Sequence, residues 1–172
     1  MIYLDNNGTT FLLDEVKDHL CGLLDRPLGN PASNTDSGRA AARLLGAARE
    51  HVAALVAASP EHIMFTSSGS EANVAAVRSA LNASNRRVVV TSEIEHASLR
   101  ELWHVIGHEG CEVRFGRTLS SGEVDVDHLS ELIDDDVALL CVQAVNNETG
   151  VIQPIREVCR RAREWGAMVL VD

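Results

Sequence analysis

Lysine is nearly absent from this sequence of 172 residues: Lys17 stands alone, among Asp14, Glu15 and Asp18 in a predicted N-terminal surface helix. Positive charge is scarce altogether, with 15 Lys+Arg against 25 Asp+Glu and a formal net charge of -10. The acidic residues are dispersed, not gathered into a tail, so no nucleic-acid surface is expected. No apolar run approaches the roughly 18 residues that a membrane helix needs, and Met1 to Asp5 lack the basic start and apolar stretch of a secretory signal. A cytoplasmic protein without a membrane partner is expected. The four cysteines, Cys21, Cys111, Cys141 and Cys159, include no CxxC pair and no nearby histidine at ligand spacing, so no metal site is expected. Cys111 and Cys141 in apolar strand-like runs, and Cys159 in a predicted helix, read as small buried hydrophobes. Repeats, low-complexity segments and long linkers are missing too.

What is present is the material of about one globular domain, 45% hydrophobic and 23% charged. Alanine and leucine from Asp36 to Ala58 predict a long helix that stops at Pro60. A short strand is predicted over residues 62–66. Helices over 70–81, 97–107, 127–133 and 155–165 then alternate with strands over 87–91, 112–115, 137–142 and 167–171. This alternation predicts an α/β fold, a mostly parallel sheet with helices on both faces. Residues 1–15 read as an extended arm, and 16–172 as an incomplete large domain whose last strand, Val169-Leu170-Val171, has no covering helix after it. Such a strand should be paired or insoluble.

Ligands of parallel sheets bind beyond the carboxyl ends of the strands. The polar segments there are Thr66-Ser67-Ser68-Gly69-Ser70-Glu71, Glu93-Ile94-Glu95-His96, Asn146-Asn147-Glu148-Thr149-Gly150 and Asp172. The first places hydroxyls and free amides at a helix N-terminus, suited to a phosphate or simply to an N-cap by Ser68 or Ser70 with Glu71 on the dipole. His96 at a helix start could stack on a heterocycle, move a proton, or be solvated. The adjacent asparagines could form an ordinary Asx turn. Asp172 at the mouth of a buried strand calls for a cationic partner, either an arginine or a protonated pyridine nitrogen.

In order along the chain, Tyr3-Leu4-Asp5-Asn6-Asn7-Gly8-Thr9-Thr10, Gly29-Asn30-Pro31-Ala32-Ser33, Gly38-Arg39, Phe65-Thr66-Ser67, Ser70-Glu71, Glu95-His96, Val145-Asn146-Asn147-Glu148-Thr149-Gly150-Val151, Gln153-Pro154-Ile155 and Val171-Asp172 closely resemble the first half of a NifS/IscS-type cysteine desulfurase. The resemblance implies a fold type I pyridoxal phosphate enzyme of the class V aminotransferase group, usually a homodimer. Such enzymes convert L-cysteine to L-alanine and pass the sulfur as a persulfide to an acceptor protein, in iron–sulfur cluster assembly among other routes. It assigns Gly69 and Ser70 to the cofactor phosphate, and His96 to ring stacking and catalytic proton transfer. Asn147 falls to the phenolic oxygen, and Asp172 to the pyridinium nitrogen. Ser68, Ser70, Gly8, Thr35 and Val74 depart from common family residues, which touches substrate contacts more than cofactor contacts.

The family's cofactor-binding lysine and persulfide-carrying cysteine lie beyond the region resembled here, and Lys17 cannot replace the lysine. The chain is therefore expected to be inactive alone, as part of a longer protein or as one half completed by a second polypeptide. A selenocysteine lyase or another class V carbon–sulfur lyase would share these motifs. A non-catalytic half-length protein that binds pyridoxal phosphate or a partner is the alternative of a different class.

Overall fold

The computed structural model describes residues 2–172, which divide into two compact units, one ending at Phe65 and the other spanning Thr66–Asp172. In the first unit, helix α1 is Asp14–Leu24 and helix α2 is Asp36–Leu55. The side chain of Thr35 caps α2 by accepting from the Gly38 amide at 3.1 Å. Asn30 turns the preceding loop, its side-chain oxygen accepting from the Ala32 amide at 2.9 Å. The loop and helix fit only because Gly38 lacks a side chain: a Cβ there would lie 2.4 Å from the Ser33 carbonyl oxygen. The Gly-Asn-Pro-Ala-Ser and Gly-Arg motifs thus have a local packing role, which Arg39 extends by donating to Asn34 and pairing with Asp36.

The strand expected over residues 62–66 does not form. Pro60–His62 is a single 3-10 turn, and an extended segment follows it, with Arg49 5.7 Å above the Phe65 ring. A short apolar run makes a strand only where a neighbour takes the backbone hydrogen bonds. No strand pairs with this segment among the described residues.

The second unit holds the sheet. Helix α3 (Gly69–Asn82) leads to β1 (Val88–Ser92), followed by α4 (Ala97–His108), β2 (Glu112–Gly116), α5 (Val126–Glu131), β3 (Val137–Val142), α6 (Ile155–Glu164) and β4 (Met168–Val171). All pairings are parallel, in the order β2-β1-β3-β4. Every residue of β1 and β3 is buried, as central strands covered on both faces must be. Val89, Leu139 and Cys141 pack on one face with Val77 and Leu81 of α3 and Leu99, Trp103 and Ile106 of α4. Val88, Val90, Leu140 and Val142 pack on the other with Leu129 of α5 and Val158 and Ala162 of α6. The predicted elements from residue 70 onward thus appear with their ends shifted by a residue or two. The edge strand β4 pairs with β3 alone among the described residues and leaves Met168 and Val171 exposed.

Candidate functional site

Because the sheet is parallel, all four strands deliver their carboxyl ends to one edge. The chain leaves β1 towards β2 and leaves β3 towards β4, so the two connections diverge between the central strands. Such a switch point opens a crevice that no connection crosses. A cavity of about 350 Å3 lies there, lined by Gly69, Ser70, Asn73, His96, Gln143, Val145, Asn147 and Asp172. The five residues singled out in the sequence, Gly69, Ser70, His96, Asn147 and Asp172, therefore share one cavity. Asn73 and Gln143 join them without having been foreseen.

Each wall has a local cause. At the start of α3, Ser68 accepts from the Glu71 amide at 3.2 Å, and the Glu71 carboxylate reaches back to accept from the Ser67 amide and hydroxyl, both at 2.6 Å. This reciprocal capping satisfies the Glu71 amide and ties the residue before the cap to the first turn. Those Ser67 bonds hold the Glu71 carboxyl below its ordinary range. The N-cap alternative is thus realised by Ser68 and Glu71, while Gly69 and Ser70, in the first turn where amides have no intrahelical acceptor, face the cavity. A Cβ at Gly69 would meet no atom within 4 Å, so packing against protein does not require the glycine.

Three hydrogen bonds join the loop after β1 to the loop after β3. The Gln143 amide donates to Glu95 at 2.8 Å, and the Gln143 and Asn146 side chains both donate to the Ile94 carbonyl, at 2.6 and 3.1 Å. Asn146 also forms an Asx turn, one of the alternatives open to the asparagine pair, its side-chain oxygen accepting from the Glu148 and Thr149 amides at 3.0 and 2.9 Å. The first asparagine of the pair therefore shapes the loop, and Asn147, which it carries, lines the cavity. Gln153 anchors the far end of this segment: it accepts from the buried Val124 amide at 2.8 Å and donates to the Gly122 carbonyl at 3.1 Å.

Glu95 is 3% exposed. Burial pushes its carboxyl up to about 7, with the nearby Asp172 charge adding to the rise, against the opposing hydrogen bonds from the Ser92 hydroxyl and the Gln143 amide. Cys141 lies beneath the same corner, where burial, then Glu95 and Asp172, push its thiol well up, so it has no thiolate character. The Asp172 side chain itself has no ion pair or hydrogen bond among the described residues, and the bland alternative of an arginine partner is not found. No group of three or more His, Cys, Asp or Glu side chains suited to a metal occurs among the described residues.

The cavity thus offers helix-start amides and a hydroxyl at one wall, an imidazole and a carboxamide at others, and a carboxylate awaiting a cation. A flat ligand carrying an anionic group and a protonated ring nitrogen fits this donor set, and pyridoxal phosphate is such a molecule. The sequence matches the aminotransferase class V family over residues 2–172. It is 36% identical over 173 residues to the cysteine desulfurase of Nostoc sp., covering 100% of this chain and 43% of that protein. The cysteine desulfurase NifS of Azotobacter vinelandii is also 36% identical, with 99% of this chain and 43% of that protein covered. Among solved structures, a NifS-like protein superposes with a TM-score of 0.95 at 31% identity, over 99% of this chain and 48% of that one. DndA from Streptomyces lividans does so with a TM-score of 0.82 at 32% identity, over 99% and 49%. The chain spans less than half the length of the curated relatives it matches.

Proposed function

The chain belongs to the aminotransferase class V family, and from that premise we propose that it forms the cofactor-holding portion of a pyridoxal phosphate-dependent cysteine desulfurase. The substrate is L-cysteine, the product L-alanine, and the sulfur leaves as a persulfide for an acceptor protein. The convergence of Gly69, Ser70, His96, Asn147 and Asp172 on one cavity at the switch point supports this function above all. When bound, the cofactor supplies an electron sink for the carbanion formed on the amino acid. The amides of Gly69 and Ser70 and the Ser70 hydroxyl bind the phosphate at the helix N-terminus. His96 bears on the ring and handles a proton, and Asn147 donates to the phenolic oxygen. Asp172 stabilises the protonated ring nitrogen, which is the cationic partner that its carboxylate calls for.

Lys17 lies on the exposed side of α1 and is the one lysine in these 172 residues, so they bind the cofactor without a covalent bond and are inactive by themselves. The native enzyme is a cytoplasmic homodimer. Joining residues 1–172 to the remaining segment of the Nostoc relative tests the proposal. The chimera is expected to release L-alanine from L-cysteine only when pyridoxal phosphate is present. A chimera that binds the cofactor yet forms alanine from neither L-cysteine nor L-selenocysteine overturns it, and a preference for selenocysteine reassigns the substrate.

A further inference from the structure

His96 is the N-cap of α4, and its ring accepts from the Ser98 amide at 3.1 Å through Nδ1. An amide nitrogen only donates, so Nδ1 presents its lone pair. Ser98 makes a second contact with the same nitrogen, Oγ to Nδ1 at 2.8 Å. The direction of that bond is set from a different helix: Asn73 of α3, 6% exposed, donates its side-chain N–H to Ser98 Oγ at 3.3 Å. With its oxygen accepting from Asn73, the Ser98 hydroxyl turns its proton to Nδ1. Both donors on Nδ1 then agree, and the proton of the neutral ring resides on Nε2.

We propose that Asn73 and Ser98 are positioning residues that fix His96 as its Nε2–H tautomer at the cavity wall. Capping α4 needs only the Ser98 amide, so it does not account for the hydroxyl contact or for a buried carboxamide reaching across from α3. Asn73 also lines the cavity alongside His96. Resting on the function proposed above, the arrangement gives His96 a defined role. Nδ1 is occupied, Nε2 makes no hydrogen bond among the described residues, and the neutral ring offers its Nε2–H as a hydrogen-bond donor at the cavity wall. Accepting a proton at Nδ1 instead would set an N–H against the Ser98 amide.

Nitrogen-15 NMR of the histidine ring reads the tautomer directly, with no cofactor present. His96 in the unaltered chain is expected to show a protonated Nε2 and an unprotonated Nδ1 at pH 8. Ser98→Ala should raise the Nδ1–H population about fivefold, the effect of losing one neutral hydrogen bond, and Asn73→Ala should raise it by less. Ser98→Thr, which keeps the hydroxyl, should restore the original ratio. A protonated Nδ1 in the unaltered chain overturns the proposal whether or not the variants fold, and an unchanged ratio in a folded Ser98→Ala variant does so as well. If the tautomer is as stated but pyridoxal phosphate does not bind in a separate titration, the function fails and the positioning role stands.

Discussion

Replacing Glu95 with glutamine should stabilise this protein at alkaline pH. The carboxyl is held up to about 7, against 4.5 for an ordinary glutamate. Between those values the unfolded chain has released the proton that the folded chain still binds, so stability falls as pH rises from about 4.5 to about 7 and levels off above. The gap amounts to about 3 kcal/mol, an upper value because the fold relaxes around a buried charge. A glutamine of the same shape keeps both contacts: its oxygen accepts from the Gln143 amide in place of the bond now at 2.8 Å, and its NH2 donates to Ser92, whose hydroxyl rotates to accept. Urea unfolding of the native chain and Glu95→Gln, followed by Trp103 fluorescence from the core at pH values from 5 to 8, gives the comparison. The two should be nearly equal at pH 5, with Glu95→Gln ahead by about 1 to 3 kcal/mol at pH 8. Parallel pH profiles, or a variant weaker at pH 8, would refute the claim that burial dominates this carboxyl.

Gly38→Ala should destabilise the first unit by about 1–3 kcal/mol, because the new Cβ meets the Ser33 and Asn30 carbonyl oxygens, which are backbone and cannot swing aside. A loss under about 0.5 kcal/mol in denaturant unfolding would mean that the loop yields more readily than this geometry allows. Gln153→Ala strips the buried Val124 amide of its acceptor and should cost about 1–3 kcal/mol. Hydrogen exchange at Val124 should accelerate with it, and unchanged protection there would show that another acceptor takes over.

The layers of the second unit were legible in the sequence because hydrophobic periodicity and burial agree there. The continuous apolar runs of β1 and β3 are buried on both faces, and α3 turns Val77, Ala80 and Leu81 inward. Residues 62–66 show the limit of pattern alone, since a ladder depends on a neighbour that no local sequence encodes. The five residues that line the cavity were legible because each follows a strand end or opens a helix. Asn73 was missed although a signal existed: it falls four residues before Val77 on the buried stripe of α3, where a polar side chain requires a partner. Gln143, one residue past a fully buried strand, carried the same signal. Ser98 carried none, because its contact with Asn73 depends on the meeting of two helices. The capping and phosphate alternatives for residues 66–71 proved compatible, as Ser68 and Glu71 cap the helix while Gly69 and Ser70 face the cavity.

A crystal structure of the chain grown with pyridoxal phosphate tests the central claim most directly. The account predicts density in the cavity between β1 and β3, with the phosphate at the amides of Gly69 and Ser70, the ring against His96, the phenolic oxygen at Asn147 and the pyridine nitrogen beside Asp172. A cofactor seated elsewhere on the protein, or turned so that its ring nitrogen faces away from Asp172, would contradict it.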